Sequence, residues 1–187
     1  MSKIKAYSGI GSRETPKDIM NIMMMIANEL QHEYTLRSGH APGADSSFEE
    51  GVSNHNMEIY IPWKGFNGSD SQLFNQAEEA FIIASQYHPA WNSLKEPVKK
   101  LMARNVHQVL GKDLKSPVKF VLCWTPDGCE SHKTRSQKTG GTGQAISIAS
   151  ENGIDVINMR NLLWEDRLLD IIGSHYYGNS FSCGKEN

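Results

Sequence analysis

The sequence predicts an α/β fold, and three observations predict it. Short runs rich in β-branched and apolar residues alternate with stretches of helical periodicity along the chain. Glycine clusters recur where a strand gives way to a helix. One run, VKFVLCW, is apolar at successive positions, as in a strand covered on both faces. Together they imply a mostly parallel sheet covered by helices on both faces. At 187 residues the chain suffices for one such core. We assign residues 1–175 to a single domain and 176–187, YYGNSFSCGKEN, to a tail.

KIKAYSGIGS begins as a strand over Ile4–Tyr7 and runs into small residues. Thr15 as N-cap, Pro16 at the first helical position and Asp18 in the first turn then start a helix. Ile19, Ile22, Met23, Ile26 and Leu30 repeat along it at helical spacing. YTLRS is the second strand, followed by the loop GHAPG and a helix from Ala44 to about Val52. MEIYIP, from Met57, is the third strand and stops at Pro62. Residues 71–110 are helical in composition, broken by HPAW and Pro97. Val118–Trp124 is expected as the central strand. A polar excursion follows, then a helix starting near Gln144, a last strand IDVINM and a last helix in NLLWEDRLLDII.

The near-balanced charge of −2 excludes the global basic footprint of a duplex-DNA binder and leaves room for a local basic patch. No basic-apolar leader and no apolar run near the roughly 20 residues of a membrane span are present, so the expected location is cytoplasmic. Cys123, Cys129 and Cys183 are an odd set without a CxxC; Cys129 and His132 lack the two further ligands of a structural zinc. No metal and no cofactor is expected.

In parallel sheets ligands lie beyond the carboxyl ends of the strands. Three loops at that edge carry glycines: Gly9 and Gly11; Gly39 and Gly43; Gly140, Gly141 and Gly143. Glycine lets backbone N–H groups approach an anion, and a helix N-terminus adds a partial positive charge. Neither a Gly-Lys-Ser/Thr P-loop nor a GxGxxG fingerprint occurs. Arg13, near a helix start where its charge is mildly unfavourable, suits a phosphate or carboxylate partner. Asp45 either caps its helix or binds a ribose hydroxyl or water. Arg104 and Asn105 lie on an amphipathic helix; His107 beside them reads as a satisfied or solvated histidine. Trp63 and Trp124, at strand ends, are either core or a base-stacking platform. Lys133, Arg135 and Lys138 lie in a polar excursion, expected as a mobile basic lid or a solvated loop.

YSGIGSRET, SGHAPGADSSFEEG, IYIPWKGFNG, ARN and GGTGQAISIASENGIDVIN, in that order from Tyr7 to Asn158, resemble the SLOG superfamily, which joins the DNA-processing protein A (Smf) proteins to the Lonely Guy phosphoribohydrolases. The likeness is nearest to its single-domain YspA-like branch. It implies a Rossmann-like fold with a twisted sheet and a nucleotide or a nucleotide-derived signal such as an ADP-ribose species, held by Gly11, Ser12, Arg13, Gly39, Gly43, Ala44, Asp45, Arg104, Asn105, Gly140, Gly141, Thr142, Gly143 and Gln144. Gly9, Ser38, Trp63 and Trp124 extend that candidate set. The Lonely Guy pattern P-G-G-x-G-T-x-x-E is altered: Thr139 replaces its proline, Gln144 its threonine and Ser147 its glutamate. A serine cannot act as that carboxylate, so an N-glycosidase acting on a nucleoside monophosphate would need Asp45 or Glu14. Single-stranded DNA binding is the third reading, without room for a winged-helix domain. A homo-oligomer is expected, with residues 71–110 as its interface.

Overall fold

The computed structural model describes residues 5–173, so the proposed tail lies outside the described residues. Five strands form one all-parallel sheet: β1 (Ala6–Gly11), β2 (Thr35–Ser38), β3 (Met57–Ile59), β4 (Phe120–Trp124) and β5 (Asp155–Asn158), in the order β3-β2-β1-β4-β5. Six α-helices cover it: α1 (Lys17–Leu30), α2 (Ala44–Glu50), α3 (Glu78–Tyr87), α4 (Glu96–Leu110), α5 (Thr142–Glu151) and α6 (Trp164–Ile172). The predicted fold class is the observed one. Among the described residues no helix is long and apolar enough to cross a membrane.

The alternation along β1 sorts the helices into two layers. Ala6 and Ile10 face a core built with Val121, Cys123 and Val156 beneath α3, α4 and α5. Tyr7 faces the other way, into a core with Leu36, Phe120, Leu122 and Ile157 beneath α1, α2 and α6. There Tyr7 stacks on Phe120 at 5.5 Å and meets Phe48 edge-on at 6.3 Å. Each such large side chain, fully buried, contributes about 1.5–3 kcal/mol. Gly9 makes this packing possible, because a Cβ there would lie 2.7 Å from both Leu36 Cδ1 and Phe48 Cγ.

Three sequence expectations are corrected. The first strand runs on to Gly11 rather than ending at Tyr7, because pairing with β4 carries Gly11 opposite Trp124. That pairing makes β1 the middle strand; β4, buried at all five positions, is its neighbour. Pro97 does not break a helix. It occupies the first turn of α4, where its missing N–H has no carbonyl to bond. Smaller shifts occur at Pro16, which precedes α1 as its N-cap, and at Ile59, where β3 already ends.

Candidate functional site: a cleft at the switch point of the sheet

Chain connections run one way from β1 to β2 and the other way to β4, so the loops beyond β1 and β4 part and leave a crevice between them. That crevice is a cleft of about 820 Å³. Its walls comprise the turn Ile10–Glu14 after β1, Ala41 and Asp45, the α4 residues Leu101, Met102, Arg104, Asn105 and Gln108, Pro126 after β4, and 137–142 leading into α5.

The first two glycine loops lock together. The Ser12 N–H donates to the Trp124 carbonyl at 3.0 Å, which extends the β1–β4 pairing past the strand. The Ser12 carbonyl accepts from the Ala44 N–H at 3.3 Å and the Thr15 hydroxyl at 2.7 Å. Gly43 is essential to this junction: its φ is +94°, and a Cβ would lie 2.6 Å from the Ser12 oxygen. The Gly11 N–H then donates to Asp45 Oδ1 at 3.1 Å, tying the turn to α2. Burial pushes the Asp45 carboxyl up to about 7; the Arg104 guanidinium and the Gly11 and Ala41 N–H groups pull it down, while Glu49 adds repulsion.

Arg104 is 6% exposed. Its Nη1 donates to the Gly39 carbonyl at 2.6 Å and the Tyr60 carbonyl at 3.3 Å, and its plane lies over Phe66 at 5.9 Å. Among the described residues its Nε–H has no hydrogen-bond partner. Burial lowers the Arg104 pKa while Asp45 and Glu49 raise it, and the side chain stays cationic at any ordinary pH. The Asn105 amide donates to the Gly141 carbonyl at 3.1 Å, fastening the start of α5 to α4.

On the opposite rim the polar excursion is mostly exposed, as a solvated loop would be, and is anchored by Asp127 and Arg135. Asp127 accepts from the Ser136 hydroxyl at 2.6 Å and from the Thr139 hydroxyl at 2.5 Å. Partial burial pushes its carboxyl up, but these hydroxyls, that of Thr125 and the Cys129 N–H outweigh it and hold the pKa down to about 2. Arg135 turns inward, donating to the Tyr87 carbonyl at 2.9 Å, Gln144 Oε1 at 3.3 Å and Ser147 Oγ at 3.4 Å. Lys138 remains on the cleft, beside Gly140, whose φ is +64°, and Gly141, which begins α5 without a side-chain cap.

Of the sequence candidates, Gly11, Ser12, Arg13, Glu14, Asp45, Arg104, Asn105, Gly140, Gly141 and Thr142 meet in this cleft. The others stand elsewhere. Gly9, Ser38, Gly39, Gly43 and Ala44 build its supports; the Ser38 hydroxyl donates to the Gly9 carbonyl at 2.7 Å. Gly143 packs under Arg135, and the Gln144 amide donates to the Ala84 carbonyl at 2.8 Å inside the core. Trp124 is buried in the α1–α2–α6 layer and Trp63 meets Phe66 edge-on at 5.2 Å, so neither lines the cleft; Ile10, Leu101, Met102 and Pro126 supply its apolar surface. His107 is a satisfied core histidine: Nδ1–H donates to the Gly111 carbonyl at 3.0 Å and Nε2 accepts from the Ala77 N–H at 3.2 Å.

The sequence reading missed Gln108. A signal for it existed, since Leu101, Arg104, Asn105 and Gln108 are spaced by three and four and share one face of α4. Among the described residues no group of three His, Cys, Asp or Glu side chains could hold a metal ion.

Fold and cleft define a Rossmann-like α/β protein with a polar, partly cationic crevice at the switch point. No family model matches the sequence, and no curated protein matches it. A solved structure of DNA processing protein A from Helicobacter pylori, described for its single-stranded DNA binding mode, aligns at 17% identity with a TM-score of 0.37, covering 89% of this chain and 82% of that one.

Proposed function

We propose that the cleft binds a nucleotide or a nucleotide-derived small molecule through its phosphates. The observation that carries this reading is the meeting of Arg13, Lys138, the buried Arg104 and the uncapped start of α5 around one cavity of about 820 Å³. That volume suits a small ligand, and the cationic groups with the helix terminus suit an anion. Ile10, Leu101 and Met102 offer an apolar surface to a base. Self-association through residues 71–110 belongs to the same proposal, and light scattering that returned a species near 20.9 kDa would reject it.

Calorimetric titration with AMP, ADP-ribose and pyrophosphate tests the reading. Binding weakened by salt, and weakened further by Arg13→Ala and Lys138→Ala without loss of stability, is the expected outcome. No binding by any of the three would refute it. Binding of single-stranded oligonucleotides alone, fading steeply with salt, would favour DNA instead.

A second reading has one observation in its favour. Asp45 and Glu14 share the cleft, and a carboxyl pushed up to about 7 is poised for proton transfer near neutral pH. Ser147, by contrast, donates to the Gly143 carbonyl at 2.8 Å within α5. Release of free base from nucleoside monophosphates, abolished in Asp45→Asn, would make the protein an N-glycosidase.

A further inference from the structure

We propose that Gln108 is a specificity-determining residue whose amide reads a hydroxyl of the sugar carried by the cleft's ligand. The inference rests on the nucleotide reading above and extends it from the phosphates to the sugar.

Gln108 is 2% exposed and lies on the cleft wall. Its amide makes no hydrogen bond to any described residue, although neither of its polar atoms is sealed away from the cleft. A buried side chain whose amide has no partner on the protein keeps its bonding capacity for water or a ligand in the cleft. A ligand group at that place restores both of its bonding directions.

The neighbours narrow what that group is. A Cβ on Gly39 would lie 2.4 Å from Gln108 Nε2 and 1.6 Å from Arg104 Nη1, so both side-chain ends converge on the bare Cα of Gly39. Arg104 there only donates, Asp45 when ionised only accepts, and the Gln108 amide does both. A phosphate accepts only and satisfies the arginine but not the amide's carbonyl. A hydroxyl donates and accepts, so it can meet both ends of the amide. The rim cations Arg13 and Lys138 are left for the phosphates. The ligand is therefore two-part, with an anionic end at the start of α5 and a hydroxylated sugar against α4.

The test is calorimetric titration of the wild-type protein with AMP, 2′-deoxy-AMP, 3′-deoxy-AMP and pyrophosphate, repeated with Gln108→Leu. Circular dichroism melting verifies that the variant is folded. Removing the hydroxyl that is read is expected to weaken wild-type binding about tenfold, the value of one well-placed neutral hydrogen bond. Gln108→Leu is expected to weaken AMP by a similar factor and to leave that deoxynucleotide nearly unchanged. Equal wild-type affinity for all three nucleotides overturns the inference even if the variant does not fold. So does a Gln108→Leu loss of equal size for all three, which would assign the amide to the base or to structure. Binding of pyrophosphate without AMP overturns the sugar inference and spares the phosphate site. Binding of neither removes both.

Discussion

Asp45 and Asp127 serve opposite sides of one cleft and have moved in opposite directions. Burial lifts Asp45 to about 7. Hydroxyl and amide donors hold Asp127 down to about 2 against its own partial burial. The difference teaches how the two walls are made. The 127–139 rim uses its polar groups on one another and is fastened by them. The wall of Arg104 and Gln108, beside Asp45, holds polar groups without a hydrogen-bond partner among the described residues. Partnerless buried polarity is costly to keep, which is the physical reason for placing the ligand against that wall.

Replacing Arg104 breaks the comparison most severely. Arg104→Met deletes the bonds to the Gly39 and Tyr60 carbonyls and leaves Asp45 without its nearby positive charge. Urea denaturation is expected to show a loss on the order of 3 kcal/mol, with anion binding abolished. A variant as stable as the parent would mean that the guanidinium does not hold this wall together.

A smaller effect is expected from pH. Because the folded-state pKa of Asp45 exceeds its ordinary value of 3.8, the folded protein retains a proton that the unfolded chain has already released. Stability therefore falls as pH rises from about 4 to about 7 and levels off above that, by on the order of 2 kcal/mol once water in the open cleft is allowed for. Denaturation midpoints across that range should slope downward in the wild type and lie flat in Asp45→Asn.

Asp127 gives the smallest effect and the opposite slope. Its folded-state pKa lies below the ordinary value, so its contribution is complete above about pH 4 and disappears as pH falls toward 2. Asp127→Ala is expected to cost about 1 kcal/mol at neutral pH and to remove that acid-side loss. Anion affinity should drop modestly, because Lys138 and Gly140 ride on the rim that Asp127 secures.

Much of the cleft was legible because its backbone parts announce themselves. Gly11, Ser12, Arg13, Asp45 and Gly140–Thr142 lie in loops whose glycines mark strand-to-helix turns, and parallel topology sends such turns to one edge. Side-chain direction was not legible. Gln144 and Arg135 look as available as Arg13 in a string of letters, yet both end in bonds between α3 and α5. Trp124 could be read as core or as a stacking platform, and the pleat of β4 directs it with Phe120 and Leu122 into the layer opposite α4. The excursion looked unpacked because its anchors, Asp127, Ser136 and Thr139, are polar and their bonding is a matter of proximity.

By itself the sequence determined the periodicities, the glycines and hence a parallel sheet with loops gathered at one edge, because backbone sterics and hydrophobic alternation act between near neighbours in the chain. Only the tertiary structure decided which polar side chains find partners. Arg104 reaches the carbonyls of Gly39 and Tyr60, while Gln108, one turn along, reaches none among the described residues. Hydrogen bonding depends on the last ångström between residues far apart in sequence, and that distance is set by how the layers pack.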